Sequence, residues 1–187
     1  MGGGMIKPWE LYPEFWKTEA MFLSYIRGGI RRHLWAKNPV KLEFIKRSRK
    51  MINNPNPRSA KGRPKVWGGV CECCGKEFAT KDMEVDHKTG EFNLRKIEDI
   101  QKFVEGIVFV RYEDLALLCK PCHKAKTYAE RTGMSHEDAV IEKKAIEICK
   151  GNAKSVKLWL EVYGIVPAAT AAKRREQVVQ ALKEGKG

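Results

Sequence analysis

Long apolar runs are missing from this sequence of 187 residues. No stretch approaches the ~20 consecutive apolar residues that a membrane-spanning helix needs. The opening MGGGMIKPWELYP also lacks the uninterrupted apolar segment of a secretory signal. We therefore expect a cytoplasmic protein with no membrane partner, in which clustered cysteines are metal ligands rather than disulfides.

Acidic residues are scarce outside the middle of the chain. Residues 1–70 carry 15 Lys and Arg but only 4 Asp and Glu, and residues 131–187 carry 11 and 7. Residues 71–130 carry 10 basic and 12 acidic side chains, and the whole chain has a formal charge of +13. Basic flanks favour a polyanionic partner such as nucleic acid, and the bland alternative is a soluble, highly charged protein.

Apolar spacing in the N-terminal third predicts helices. Residues 14–35 are expected to form two helical pieces with a bend at Gly28-Gly29, and residues 39–52 a basic helix. The segment NNPNPRSAKGRPK, 53–65, is rich in Asn, Pro and positive charge and is typical of a linker or a loop that follows a nucleic-acid backbone. These features predict three regions, namely 1–67, 68–131 and 132–187.

The remaining two thirds predict an α+β fold. Residues 84–86 and 115–118 are expected as strands, and 97–108 as a short helix between them. Pro121 suits the first turn of a helix that runs to about Arg131. A capping-box pattern at 135–138 begins a helix that continues to about Cys149, and two further helices follow near 154–163 and 170–183.

Two Cys-x-x-Cys pairs are the strongest motif. Cys71 and Cys74 form the first pair, Cys119 and Cys122 form the second, and together they supply four thiolates for a closed tetrahedral Zn²⁺ site. Such a site has no open position for water, so the zinc is expected to be structural.

CECC also allows Cys73 as a ligand, but Cys71 is favoured because Gly75 then follows the pair in the usual zinc-knuckle turn. We expect ordinary cysteines at positions 73 and 149, and surface histidines at positions 33 and 136.

Potential catalytic residues lie beside these pairs. VDH at 85–87 follows the first pair, and CHKAKT at 122–127 begins with the last cysteine of the second. A zinc ion shared by both pairs would bring Asp86 and His87 close to His123, which makes a second metal site plausible.

The motifs CECCG, EVDHK, DLALLC and CKPCHKAKT, in this order, resemble those of the HNH endonucleases, or ββα-metal nucleases, over residues 68–128. The resemblance implies a small ββα-metal core with a zinc-knuckle pair, flanked by mainly helical segments. It also implies that His87 is the general base and that Asp86 and His123 hold Mg²⁺, Mn²⁺ or a similar ion. Asp114 stands where the family has an asparagine that ties down the loop bearing the base.

The residue chemistry agrees with these roles. Neutral imidazole, with an ordinary pKa near ~6.5, can take a proton from water at physiological pH, and a carboxylate is the hard oxygen ligand that such cations prefer. We expect phosphate contacts from basic residues beside the site and in both flanks, namely Lys124, Lys126, Arg31, Arg32, Lys173, Arg174 and Arg175. Residues 155–182 faintly resemble a SAP-type DNA-binding motif, and an ordinary helical hairpin is the alternative.

The resemblance therefore predicts a metal-dependent DNA endonuclease of phage or mobile-element type, acting on double-stranded DNA. In a phage-encoded protein the compartment would be the host cytoplasm. A single active site cuts one strand at a time, so the chain either nicks DNA or pairs with a second copy as a homodimer. The alternative is a non-catalytic zinc-ribbon protein that only binds nucleic acid, which would need the four cysteines but not Asp86, His87 and His123.

Overall fold

The computed structural model describes residues 6–90 and 92–186. Helices predominate in the described residues, and short strands form two small sheets, which confirms the predicted α+β class. The chain folds into two compact units, an N-terminal one, Met1–Leu118, and a C-terminal one, Cys119–Gly187. None of the described helices has the length and apolar character needed to cross a bilayer.

The N-terminal unit begins with helices. They are α1 (Pro8–Leu11), α2 (Glu19–Gly29), a π-helical segment (Ile30–Trp35) and α3 (Pro39–Ser48). Asn38 caps α3, because its side-chain oxygen accepts hydrogen bonds from the backbone N–H groups of Val40 and Lys41. The predicted bend at Gly28-Gly29 coincides with the passage from α-helical to π-helical turns, which residues without a Cβ accommodate readily.

A three-stranded antiparallel sheet follows. Its strands are β1 (Lys50–Asn53), β2 (Lys65–Val70) and β3 (Glu77–Ala79), in the order β1-β2-β3, and α4 (Pro57–Ala60) lies in the loop between β1 and β2. The helix expected over 39–52 ends at Ser48, and the expected linker 53–65 connects two paired strands. This hairpin contains the predicted border between 1–67 and 68–131. The division into three regions stays a prediction.

The second sheet contains both strands that the sequence predicts. Strand β4 (Met83–His87) pairs with β5 (Leu115–Cys119), and between them lies helix α5 (Ile100–Val108), preceded by a 3₁₀ turn at Ile97–Asp99. Two more 3₁₀ turns, Thr80–Asp82 and Tyr112–Asp114, each lead directly into a strand. Gly69 of β2 lies so close to β5 that a Cβ there would come within 2.6 Å of Leu117 Cδ2.

One hydrophobic cluster of the N-terminal unit joins the first helices to α5. Its buried members are Leu23, Ile30, Leu94, Phe103 and Ile107. Side-chain hydrogen bonds link the same regions. The Arg27 guanidinium donates to the Leu94 carbonyl at 2.6 Å. The buried Asn38 amide donates to the Val108 carbonyl at 2.8 Å. The N-terminal helices are therefore packed onto the insertion between β4 and β5.

The C-terminal unit is helical, and its helices confirm the predicted ones to within a residue or two. They are α6 (Lys120–Thr132), α7 (His136–Cys149), α8 (Ala153–Val162) and α9 (Ala171–Lys183). Gly133 ends α6 with a φ of 74°, a left-handed conformation that glycine adopts without strain. The buried core residues come from α7, α8 and α9, namely Ala145, Val156, Leu160, Val178 and Leu182.

Candidate active site

Four cysteines form a group that can hold a metal ion. The sulfurs of Cys71, Cys74, Cys119 and Cys122 all lie within 4.8 Å of one another. Tetrahedral zinc with Zn–S bonds of about 2.3 Å places its sulfurs about 3.8 Å apart, so the spacing suits this ion. Three of the four residues are buried, and a buried thiolate needs a positive partner. The donor set thus fits a structural zinc, and this group contains Cys71 rather than Cys73, as the sequence favoured.

Backbone hydrogen bonds shape the first cysteine turn and fasten it to β5. The N–H of Gly75 donates to the Cys71 carbonyl at 2.9 Å, and Gly75 has a φ of 70°. Glu72 contacts Leu117 twice, because its N–H donates to the Leu117 carbonyl at 2.9 Å and its carboxylate accepts from the Leu117 N–H at 2.7 Å. The turn is therefore held beside the strand that ends at Cys119.

A second close group of metal-binding residue types contains Cys73, Cys122 and His136. The sequence interpretation assigned no ligand role to Cys73 or His136. Cys122 belongs to both groups, so its sulfur can bind a metal either in the four-cysteine site or together with Cys73 and His136. Four thiolates complete a tetrahedron without any further ligand, which favours the four-cysteine site for zinc.

His87 is the last residue of β4, and its imidazole is packed among aromatic rings. Its ring lies 4.4 Å from the Trp35 ring, centroid to centroid, in a stacked arrangement, and 6.1 Å from Phe92 in an edge-to-face arrangement. The residue is only 7% exposed, so it is not a surface histidine. Alternation along β4 turns it to the same side as the buried Val85 and Met83.

A hydrogen bond to helix α5 contributes to the orientation of the His87 ring. Its Nε2 lies 3.3 Å from the Ile107 carbonyl oxygen. A carbonyl can only accept, so Nε2 carries the hydrogen in this contact and Nδ1 holds the lone pair of the neutral ring. Helix α5 therefore contributes to the site by selecting the tautomer of the expected general base.

Asp86 occupies the other face of β4, next to Glu84. Its carboxylate accepts a hydrogen bond from the backbone N–H of His87 at 2.9 Å. Lys41 of α3 lies close enough for its charge to interact with both carboxylates, and its Nζ is 4.5 Å from the centre of the Trp35 ring. Burial lowers the pKa of Lys41, while the negative charges of Glu84 and Asp86 act in the opposite direction.

Trp35 and Lys41 are residues of this site that sequence reasoning missed. The apolar spacing of 14–35 and the basic character of 39–52 predicted helices but gave no indication that either side chain reaches β4. Only the packing of the N-terminal helices beside the strand places them there.

Asp114 supports the strand end through its backbone rather than its carboxylate. Its carbonyl accepts a hydrogen bond from the N–H of Lys88 at 2.8 Å, one residue beyond His87. The carboxylate instead accepts hydrogen bonds from the guanidinium and the backbone N–H of Arg111. These bonds hold the pKa of Asp114 below its ordinary value.

His123 lies in the first turn of α6, directly after Cys122, and is half-buried. Within the described residues, the close groups of three or more His, Cys, Asp or Glu donors are the two given above. Neither contains Asp86, His87 or His123, so these three do not form a closed set of donors within 4.8 Å. A catalytic ion held by Asp86 and His123 stays a prediction.

The basic residues expected to contact DNA differ in their surroundings. Arg31, Arg32, Lys124 and Lys173 are exposed, while Lys126 forms an ion pair with Glu130 at 2.7 Å and Arg175 one with Glu142 at 2.5 Å.

Arg174 is only 7% exposed, and its guanidinium donates to the carbonyls of Ala168 and Ala169 at 2.8 and 2.6 Å. It stabilises the turn before α9, which argues against the expected phosphate contact for this residue.

No family model, curated protein or solved structure was found to match the chain.

Proposed function

We propose that this chain is a zinc-stabilised, metal-dependent DNA endonuclease of the HNH type. The observation that carries the proposal is the placement of reactive residues around one strand pair. Asp86 and His87 end β4, β5 pairs with β4, and β5 passes directly into the helix that bears Cys122 and His123. This strand-strand-helix order is the one that the resemblance to HNH nucleases implies.

The proposed reaction is the hydrolysis of a phosphodiester bond. Nδ1 of His87 takes a proton from water, the water oxygen forms a bond to phosphorus, and the bond from phosphorus to the 3′ oxygen breaks. Solvent protonates the departing oxygen, which gives 5′-phosphate and 3′-hydroxyl ends. Asp86 and His123 would hold Mg²⁺, Mn²⁺ or a similar ion, whose charge would stabilise the phosphate and the departing oxygen.

Other residues prepare this chemistry. The stacked Trp35 and the Ile107 carbonyl fix the orientation and tautomer of His87. Lys41 adds a positive charge beside the Glu84–Asp86 carboxylates, where a phosphate has to approach. The zinc held by four thiolates would take no part in hydrolysis, because it keeps no position for water.

The formal charge of +13 supports DNA as the substrate, because a surplus of basic side chains increases the affinity of a protein for a polyanion. Nicking by a single chain and double-strand cleavage by a homodimer both follow from one active site per chain. A supercoiled plasmid distinguishes them, because nicking gives the relaxed circle and concerted cleavage gives the linear form.

The test incubates purified protein with supercoiled plasmid, with and without added Mg²⁺ or Mn²⁺. We expect relaxed or linear product from the wild type only when an ion is added, and a loss of at least about 100-fold in rate for His87→Ala, as is typical for removal of a general base. His33→Ala is the matched control, because His33 is an exposed histidine of the π-helical segment. It should cleave at the wild-type rate.

Zinc content and thermal unfolding must be measured on the same samples, because His87 is packed in the core. His87→Asn, which retains a hydrogen-bonding side chain, should fold and bind zinc but remain inactive. Cleavage by either folded His87 variant at the wild-type rate would remove this residue from its role. Wild-type protein that binds DNA but never cleaves it with any divalent ion would establish the zinc-ribbon alternative.

A further inference from the structure

The hairpin formed by β1 and β2 carries a concentration of positive charge. Residues 49–70 contain six basic side chains and no acidic one, and the nearest carboxylates in the sequence are Glu43 and Glu72. The basic residues are Arg49, Lys50, Arg58, Lys61, Arg63 and Lys65. Three of them, at 58, 61 and 63, lie in the loop that connects the strands and are exposed.

This loop has a defined conformation. The Asn54 side-chain amide donates to Ser59 Oγ at 3.0 Å and to the Arg63 carbonyl at 2.7 Å, and its backbone N–H donates to the Pro64 carbonyl at 2.9 Å. The Asn56 side chain caps α4 by accepting from the backbone N–H of Arg58 at 3.0 Å. The neutral polar residues thus order the loop, while the basic side chains point into solvent.

In the part of the chain that the structure describes, no carboxylate lies within 4.0 Å of Arg58, Lys61 or Arg63. Some exposed basic residues elsewhere do have such partners, as Lys150 has Glu147 at 2.6 Å. Ordered, unpaired positive charge favours binding of an external anion.

The strands continue the surface. Met51 and Trp67 are directly opposite in the antiparallel register and therefore share a face, with exposures of 49% and 47%. The Arg49 guanidinium lies 4.6 Å from the centre of the Trp67 ring. Lys65, two residues before Trp67, lies on the same face, where its Nζ donates to Asn53 at 2.7 Å.

We propose that the hairpin 49–70 is a contact surface for the phosphate backbone of duplex DNA. The inference rests on the proposed function for its choice of polymer. It chooses between the two interpretations of 53–65 that the sequence left open, a linker or a loop that follows a nucleic-acid backbone, and adds the two strands to the contact surface. A two-stranded ribbon fits the major groove, about 12 Å wide, and three unpaired charges at its tip reach the flanking phosphates. Duplex is favoured over single strands because Arg49 covers one face of Trp67, the ring on which an unpaired base would otherwise stack.

The test compares two variants that each remove three positive charges. The first, Arg58→Gln with Lys61→Gln and Arg63→Gln, changes the tip of the hairpin. The matched control, Lys102→Gln with Lys154→Gln and Lys157→Gln, changes exposed lysines of α5 and α8. Binding to a labelled duplex of about 30 base pairs, long enough for several phosphate contacts, is measured by fluorescence anisotropy over a range of salt concentrations. No divalent ion and no chelator is added, so that the DNA and the structural zinc both stay intact.

Each phosphate contact contributes about 0.9 to the slope of log affinity against log salt concentration. The tip variant should therefore show a slope shallower by about 2.7 and a loss of affinity on the order of 100-fold at 0.15 M salt. The control should stay within about 3-fold of the wild type if the lysines it removes make no phosphate contacts. Arg58→Lys with Arg63→Lys, which keeps the charge, should bind within a few-fold of the wild type and so separates loss of charge from loss of structure.

Wild-type affinity in the tip variant would overturn the proposal, as would equal losses in the tip variant and the control, which would mean that binding follows net charge alone. If the tip variant bound the duplex as the wild type does and lost affinity only for a single strand of the same length, the assignment to duplex DNA would be wrong. The outcome is independent of the cleavage test. Hairpin-dependent binding without cleavage would refute the nuclease, and cleavage with unchanged binding in the tip variant would refute the hairpin.

Discussion

Replacing Trp35 tests whether the N-terminal helices support the candidate active site. The Trp35 ring is half-buried, stacks on His87 with centroids 4.4 Å apart, and lies 4.5 Å from the Lys41 ammonium. Trp35→Ala removes both contacts and leaves the imidazole without the ring against which it is packed. Trp35→Phe keeps an aromatic ring in the same place.

The expected loss of stability follows from these contacts. Truncating a fully buried tryptophan costs about 3–5 kcal/mol, so a half-buried one should cost about 2 kcal/mol. Stacking on His87 adds about 0.5–1 kcal/mol and the contact with Lys41 about 0.5 kcal/mol. The total of about 3 kcal/mol should lower the Tm by on the order of 10 °C, and Trp35→Phe should cost about 1 kcal/mol.

Thermal unfolding measures the stability, and NMR of the imidazoles measures the local effect. The chain has four histidines, so the ring resonances can be assigned by substitution. The His87 signals should shift in Trp35→Ala, because the neighbouring indole is gone, while those of His33 and His136 stay in place. Cleavage by the folded variant, at a temperature below its Tm, should fall by at least about 10-fold if the ring orients the base. Unchanged His87 signals together with a wild-type Tm would refute the packing described here.

Three further substitutions test the zinc site and the C-terminal unit. Cys119→Ser should lose zinc and folded structure together, and a variant with no zinc but a wild-type melting curve would contradict the structural role. Leu160→Ala should lower the free energy of unfolding by about 2–5 kcal/mol, because Leu160 is fully buried between the C-terminal helices; a urea titration that gives less than about 1 kcal/mol would exclude this packing. Arg174→Met should cost about 1–3 kcal/mol by leaving two carbonyls without their donor, whereas the neighbouring Lys173→Met, at an exposed site, should leave the unfolding midpoint unchanged.

Residues 1–67 contribute contacts to the candidate site as well as positive charge. The sequence presented them as a basic flank, but Trp35 and Lys41 lie beside β4, and the Asn38 amide is bonded to the end of α5. Truncation of this region would therefore expose His87 as well as remove positive charge. The basic helices and the candidate site belong to one packed structure.

Local structure was largely predictable. The strand at 84–86, the strand at 115–118 and the helix after Pro121 are present, because alternating apolar residues and a first-turn proline are local signals. The strand at Lys50–Asn53 was missed, because the helical pattern of the preceding residues runs into it without a break. Its partner strand lies 12 or more residues away, and pairing with that strand overrides the local preference.

The sequence by itself indicated which four cysteines lie close together. Two Cys-x-x-Cys turns at the right spacing can satisfy one tetrahedral ion, and Gly75 completes the first turn. The chemistry that the sequence suggests for Asp86, His87 and His123 stays a prediction. Only the tertiary structure decided the surroundings of His87, the carbonyl that orients its ring, and the burial of Arg174. These depend on contacts between residues 5 to 52 positions apart, and such contacts leave no periodic signal in the chain.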